Sequence, residues 1–181
     1  MVYLASQSPR RKEILKNLGI KFKVVNSNYE EKHKKVSPSS LVLEHAVGKA
    51  LGATLPRTAR SGWVIGADTL VYAKGSVLGK PKTENEALKM LRMISGRGHY
   101  VYTGVAVKNI ATGRVKKAYC KTKVVVKKLS KNEMLSYIKA VNSYDKAGAY
   151  AIQMKPKIVT RIVGSYTNVV GLPKEIVKKL I

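Results

Sequence analysis

Val2-Tyr3-Leu4-Ala5-Ser6-Gln7-Ser8-Pro9-Arg10-Arg11 is the stretch from which the fold is read. Val2 to Ala5 is a short apolar run fit for a buried strand. Ser8 and Pro9 are an N-cap and a first-turn proline, opening a helix that Gly19 closes. A strand that passes through a loop into a helix start offers unpaired backbone amides, the layout that holds phosphates. Ser6, Ser8, Arg10 and Arg11 add two hydroxyls and two guanidiniums to those amides, the combination a triphosphate needs. An ordinary capped helix with solvated arginines would carry the same residues, so the rest of the chain has to decide.

Outward from that stretch, strands and helices alternate. Phe22 to Val25 reads as a strand, and Ser37-Pro38 repeats the cap-plus-proline start for a helix through about Thr54. Trp63 to Tyr72 is strongly β-like, with a hairpin at Lys74-Gly75. Thr83 with Glu86 forms a capping box before the amphipathic set Ala87, Leu88, Met90, Leu91 and Ile94. Tyr100 to Val107 and Arg114 to Leu129 alternate like paired strands around Ala111-Thr112-Gly113. A second capping box, Ser130 with Glu133, opens a helix to about Val141; a strand from Lys157 to Val163 and a helix from Pro173 close the chain. No repeat, low-complexity tract or linker interrupts it, so residues 1–181 read as a single mixed α/β domain.

Composition narrows the function. The chain is 45% hydrophobic, which places it among globular proteins rather than disordered ones. Its single cysteine, Cys120, cannot form an internal disulfide and suits a reducing compartment; no motif around it marks a nucleophile. The start lacks a basic leader followed by a long apolar run, so no membrane partner is expected and the cytoplasm is the expected location. A net charge of +25 favours polyanionic partners. The lysines come in scattered pairs such as Lys34-Lys35, Lys116-Lys117, Lys127-Lys128 and Lys178-Lys179, which mark solvated faces. The ten tyrosines show no spaced array for base stacking, so nucleic acid is not expected as the main partner.

The acids are few and their positions informative. Six of the eight glutamates (Glu13, Glu44, Glu84, Glu86, Glu133 and Glu175) fall in expected helices, where carboxylates near the N-terminus favour the dipole. Glu30, Glu31, Asp68 and Asp145 remain, a small acidic set that a divalent cation beside an anionic substrate would need. Gly66-Ala67-Asp68-Thr69 ends an apolar strand approach in a carboxylate, the placement of a metal ligand or of a base that activates water. Gly79-Lys80-Pro81 follows the hairpin and offers a point charge to phosphate, and Lys49 stands in Val47-Gly48-Lys49-Ala50, where a surface helix lysine is the plain alternative. His33, His45 and His99 read as surface or loop histidines.

Taken in order, these strings resemble the Maf family of nucleoside triphosphate pyrophosphatases. The matching elements are Leu4-Ala5-Ser6-x-Ser8-Pro9-Arg10-Arg11, Glu30-Glu31, Lys49-Ala50, Gly66-Ala67-Asp68-Thr69, Gly79-Lys80-Pro81, Leu91 to Ser95-Gly96 with His99, Asp145 to Gln153, and Gly164-Ser165-Tyr166 with Gly171-Leu172-Pro173. The resemblance covers nearly the whole chain. It implies an inosine-triphosphatase-like fold, a twisted mixed sheet in two lobes with a cleft, and a homodimer. It also implies hydrolysis of a triphosphate between its α and β phosphates with a divalent cation, Mg or Mn. Asp68 matches the family's general base, Ser8, Arg10, Arg11, Lys49 and Lys80 its phosphate-facing groups, and Glu31, with Asp68, its metal site. Phosphoryl transfer needs placed cations and an oriented water more than a covalent nucleophile, and this set supplies both.

Two features depart from the family pattern: Lys123 stands where relatives often carry an acid, and Met154-Lys155-Pro156 follows Gln153 where glycines are usual. Positions matching Arg10, Thr69 and Gln153 separate a thymidine and uridine triphosphate branch from one acting on methylated guanosine triphosphate. This chain resembles the pyrimidine branch, and a glutamine amide can pair with the alternating carbonyl and N–H edge of uracil or thymine. The competing expectation is a basic nucleic-acid-binding or cell-division regulatory protein, motivated by the charge.

Overall fold

The computed structural model describes residues 1–31 and 36–181; His33 and the Lys34-Lys35 pair lie outside the described residues. Among these, seven strands and six α-helices form a mixed α/β architecture, as the alternation of patterns required. In chain order they are β1 (Val2–Leu4), α1 (Pro9–Asn17), β2 (Phe22–Val24), α2 (Pro38–Leu51), β3 (Trp63–Ala73), β4 (Ser76–Leu78), α3 (Glu84–Ile94), β5 (Gly98–Asn109), β6 (Val115–Val126), α4 (Lys131–Val141), β7 (Val159–Val163), α5 (Tyr166–Val170) and α6 (Lys174–Leu180). The strand order is β2-β1-β3-β5-β6-β7, with β4 on β3. Strand β1 runs parallel to both neighbours, Leu4 facing Val24 and Ile65; β3–β4 and β6–β7 are antiparallel. No helix of the described residues is long and apolar enough to cross a membrane.

Two compact units divide the chain. Unit 1 comprises Met1–Thr69, Thr103–Cys120 and Gly171–Ile181; unit 2 comprises Leu70–Tyr102 and Lys121–Val170. The long strands β3, β5 and β6 give residues to both. In unit 1, α2 packs on the sheet through Ala46 and Ala50 against Tyr3, Ala5, Val64 and Ala106, all buried. Small residues at the contact let helix and sheet approach closely. Helix α2 stops at Leu51 rather than near Thr54, because the backbone beyond it is taken by the segment after β2. Asn28 donates to Gly52 O at 2.9 Å, Thr54 donates to Asn26 O at 2.9 Å, and Ser27 bridges Ala53. Ser8 holds the N-cap position of α1, but its side chain makes no capping bond; its own amide donates to Ser6 Oγ at 3.3 Å.

In unit 2, α3 and α4 cover the sheet face formed by Val71, Ala73, Leu78, Val101, Val124 and Val126. Both helix starts follow the capping pattern. Ser130 and Glu133 make a complete box, whereas Glu86 reaches past the N-cap Thr83 to the amide of Lys82 at 2.7 Å. His99, expected at the surface or in a loop, is instead buried in β5, with Nε2 2.7 Å from the Tyr150 hydroxyl. The short helix α5 is held by Asn168, whose amide donates to Val101 O at 3.1 Å and Thr122 Oγ1 at 2.8 Å. A helix of five residues has no periodicity to read, so the sequence pattern missed it.

Burial holds the His99 imidazole neutral, its pKa pushed down to about 4. The unfolded chain binds that proton near pH 6.5, so stability is lost as pH falls from about 6.5 to 4, by about 3 kcal/mol at most. Thermal melts between pH 7 and 4.5 should therefore fall more steeply for the native chain than for His99→Gln. Parallel curves would show that His99 does not carry the acid sensitivity.

Candidate functional site

Asp68 lies on β3 within unit 1, two residues beyond Gly66, and both face α2 because strand side chains alternate. A side chain at Gly66 would meet the backbone of α2 at Ala46 and the Ala50 nitrogen, 2.6 Å from its Cβ, so only glycine lets the helix lie this close. That proximity brings His45 and Lys49, one helical turn apart, onto the Asp68 carboxylate. Lys49 Nζ is 2.7 Å from Oδ1, and His45 Nδ1 is 3.2 Å from Oδ2. The Tyr29 ring occupies the space beside Gly48 where any Cβ would clash, and it carries the chain to Glu31, whose Oε1 is 2.6 Å from the same ammonium.

Electrostatics follow from that packing. Burial pushes the Asp68 carboxyl upward, but the hydrogen bond from His45 and the charges of Lys49 and Arg11 outweigh it and hold its pKa at about 2. Asp68 is therefore anionic across the physiological range. Donor atoms of Glu31, His45 and Asp68 all lie within 4.8 Å of one another, a possible acid-and-imidazole metal site. The residues expected from sequence to meet here, Glu31, Lys49 and Asp68, do so. Lys49 is no surface lysine: its side chain is mostly buried between two carboxylates. His45, expected at the surface or in a loop, is buried and belongs to the cluster. Its spacing of four from Lys49 was the signal that could have found it.

A second group in unit 1 centres on Arg11. Its guanidinium donates to Gly171 O at 2.8 Å, Ser6 Oγ at 3.0 Å and Thr69 Oγ1 at 3.2 Å, and Thr69 Oγ1 lies 2.9 Å from Thr103 Oγ1. Arg11 thus ties the loop after β1 to the residue following Asp68. Burial draws the Arg11 guanidinium below its usual pKa, countered by the Asp68 charge, so the two groups share one electrostatic neighbourhood. Ser8 and Arg10 flank this clamp, both partly exposed at the start of α1.

Lys80 and Gln153 belong to unit 2, where both are exposed. Lys80 follows β4, beside Gly79, whose carbonyl accepts from Gly148 N–H at 3.0 Å. Gln153 stands in the turn after Tyr150. Other members of the Asp145–Gln153 string pair locally. Asp145 is ion-paired with the neighbouring Lys146, Lys146 also donates to Asn142 O at 2.8 Å, and the Ala151 amide donates to the Tyr137 hydroxyl at 3.2 Å.

A family model described as "Maf-like protein" matches residues 1–181. The chain is 45% identical over 174 residues to a protein of Caldicellulosiruptor bescii named dTTP/UTP pyrophosphatase, covering 94% of this chain and 87% of that one. It is 44% identical over 173 residues to a dTTP/UTP pyrophosphatase of Thermoanaerobacter sp. (strain X514), covering 95% and 90%. Against one so named from Elusimicrobium minutum the identity is 41% over 179 residues, covering 98% and 95%.

The buried contact between His45 and Asp68 makes a direct prediction. His45→Leu leaves a buried carboxylate oxygen without its donor and should cost about 1–3 kcal/mol of unfolding free energy in urea. His45→Asn keeps a nitrogen donor near the Nδ1 position and should recover much of that loss. Equal losses in the two variants would show that volume, not the hydrogen bond, is what matters.

Proposed function

Given that the chain belongs to the Maf family, we propose that it hydrolyses dTTP and UTP at the α–β phosphoanhydride, releasing the nucleoside monophosphate and pyrophosphate. The observation that carries the reading is the buried anionic carboxylate of Asp68, flanked by a lysine, a histidine and a second carboxylate in one small cluster. Phosphoryl transfer requires a group that orients and deprotonates water next to cations that accept phosphate charge. Both are present within unit 1.

Each side chain then has a task. Lys49, lying between Glu31 and Asp68, turns toward the triphosphate when that larger anion arrives. Asp68 loses its strongest cationic neighbour at the same moment and becomes a better proton acceptor. Water adds to phosphorus as its proton passes to Asp68 Oδ1; the anhydride P–O bond breaks and pyrophosphate leaves. His45 keeps the carboxylate oriented through Oδ2. The Arg11 clamp holds Ser6 in place, so that Ser8, Arg10 and the opening amides of α1 receive phosphate oxygens. Lys80 adds positive charge to the phosphates, and Gln153 and Thr69 favour the pyrimidine.

A divalent cation fits the donor set. The gap between Glu31 and Asp68 already accommodates one positive charge, that of Lys49, at 2.6 and 2.7 Å. Glu31 and Asp68 would hold the ion through oxygen and His45 through nitrogen, a mixture that suits Mn as well as Mg. When bound, it would shield the triphosphate and polarise its phosphoryl oxygens. A homodimer acting in the cytoplasm completes the reading, measurable by light scattering and cell fractionation.

A triphosphate panel with product analysis tests reaction and preference together. dTTP and UTP should be cleaved well ahead of ATP and GTP, giving pyrophosphate rather than orthophosphate; a profile led by purines would overturn the preference, and orthophosphate release would overturn the reaction.

Asp68→Asn should still fold, with a lowered melting temperature because the pairing with Lys49 and His45 weakens, and lose about 10²–10⁴-fold in turnover. Near-normal turnover in the folded variant would remove Asp68 from the chemistry.

Gln153→Glu should narrow the pyrimidine preference by about tenfold, since the position is exposed until nucleotide covers it. An unchanged ratio of kcat/KM for UTP over GTP would exclude Gln153 from base selection.

A further inference from the structure

The tyrosines that show no array along the sequence form one across strands. In unit 2, Val71, Val101, Val124 and Val126 point into the core beneath α3 and α4, so their sequence neighbours point the other way. On that opposite face Tyr72 of β3 and Tyr102 of β5 meet edge-on with ring centroids 6.4 Å apart, and Tyr100 lies 6.5 Å from Tyr102. Lys121 of β6 rests its ammonium 4.1 Å from the centre of the Tyr100 ring and 5.6 Å from that of Tyr102. Lys123 lies on the same face: a Cβ on Gly98 would stand 2.8 Å from its Cε. Arg161 joins them, paired opposite Val125 in the β6–β7 register.

This face is open and of one sign. Val77 and Val163, at its two margins, are 44% and 51% exposed, and Lys121, Lys123 and Arg161 are exposed while the three tyrosines are half-buried. No aspartate or glutamate occurs in any strand residue of unit 2, so the three cations have no carboxylate beside them on the sheet. A lysine over an aromatic ring is only weakly held at an exposed site, so Lys121 can leave the ring for a phosphate. A second copy would set the same cations against each other. Val77 and Val163, at the margins, are too few and too short to anchor the face in a membrane. A duplex presents no ring face to half-buried tyrosines.

We propose that this sheet face of unit 2 binds single-stranded nucleic acid, its bases stacking on Tyr72, Tyr100 and Tyr102 and its phosphates meeting Lys121, Lys123 and Arg161. Aromatic rings set on adjacent strands and fringed by cations are the common physical solution to that problem. The site is separate from the Asp68 cluster in residues and chemistry, and does not depend on the pyrophosphatase reading.

Fluorescence anisotropy with labelled mixed-sequence 20-mers of DNA and of RNA, in EDTA, tests it. Binding of either single strand should be salt-dependent, and the triple variant Lys121→Gln, Lys123→Gln, Arg161→Gln should lower the slope of log K against log salt by about 2. The matched triple Lys131→Gln, Lys178→Gln, Lys179→Gln, which removes equal charge elsewhere, should leave the slope unchanged. Tyr102→Leu should weaken binding about tenfold and Tyr102→Phe should not. Native melting profiles establish that each variant is folded, and the charge triple stands as the test if the tyrosine variants are not. Equal effects of the two triples, a duplex bound as tightly as the single strand, displacement by dTTP, or a dimer dispersed by the face triple in protein that binds no oligonucleotide would each overturn the proposal.

Discussion

A carboxylate removed from water must be paired or be neutral, and Asp68 is paired on both of its oxygens. That constraint organises unit 1. Holding an anion in the sheet beneath a helix costs several kcal/mol unless donors meet it at short range. Lys49 and His45 meet it because Gly66 lets α2 lie against β3, and Glu31 joins because Gly48 makes room for Tyr29. The same arrangement stores reactivity. A charge held in part by an ammonium that is shared with Glu31 changes its basicity when a stronger anion draws that ammonium away.

The Arg11 clamp serves a different purpose. A guanidinium spread over Gly171, Ser6 and Thr69 is a good strut for a loop whose amides must stay oriented. In unit 2 the polar side chains within the core, His99, Thr122, Asn168 and Lys146, likewise serve mainly to join elements. Their sequence strings look like chemistry because buried polar residues are rare, and structural pairing uses the same residue types as catalysis.

Much of the fold was legible because its signals are local. The proline and serine starts of α1 and α2, the capping boxes of α3 and α4, the Lys74-Gly75 hairpin and the β5–β6 turn each lie within a few residues of the feature they create. Errors arose where distant backbone intervened: α2 ends early because residues 26–28 capture the carbonyl and amide groups beyond it. His45 and His99 were misplaced for a related reason. A lone histidine carries no sign of burial, and whether it is solvated depends on Asp68 or Tyr150, far away along the chain.

Sequence alone determined the alternation of strands and helices, the scarcity and position of the acids, and the motif order that marks the family, since each is written in residue identity and spacing. Tertiary structure decided which side chains meet. It placed His45 on Asp68, drew Arg11 onto Ser6, Thr69 and Gly171, and assembled Tyr72, Tyr100 and Tyr102 from two strands into one array beside Lys121. The physical reason is that a strand alternates its side chains and a sheet adds neighbours laterally. Residues far apart in sequence therefore become adjacent only through strand order and register.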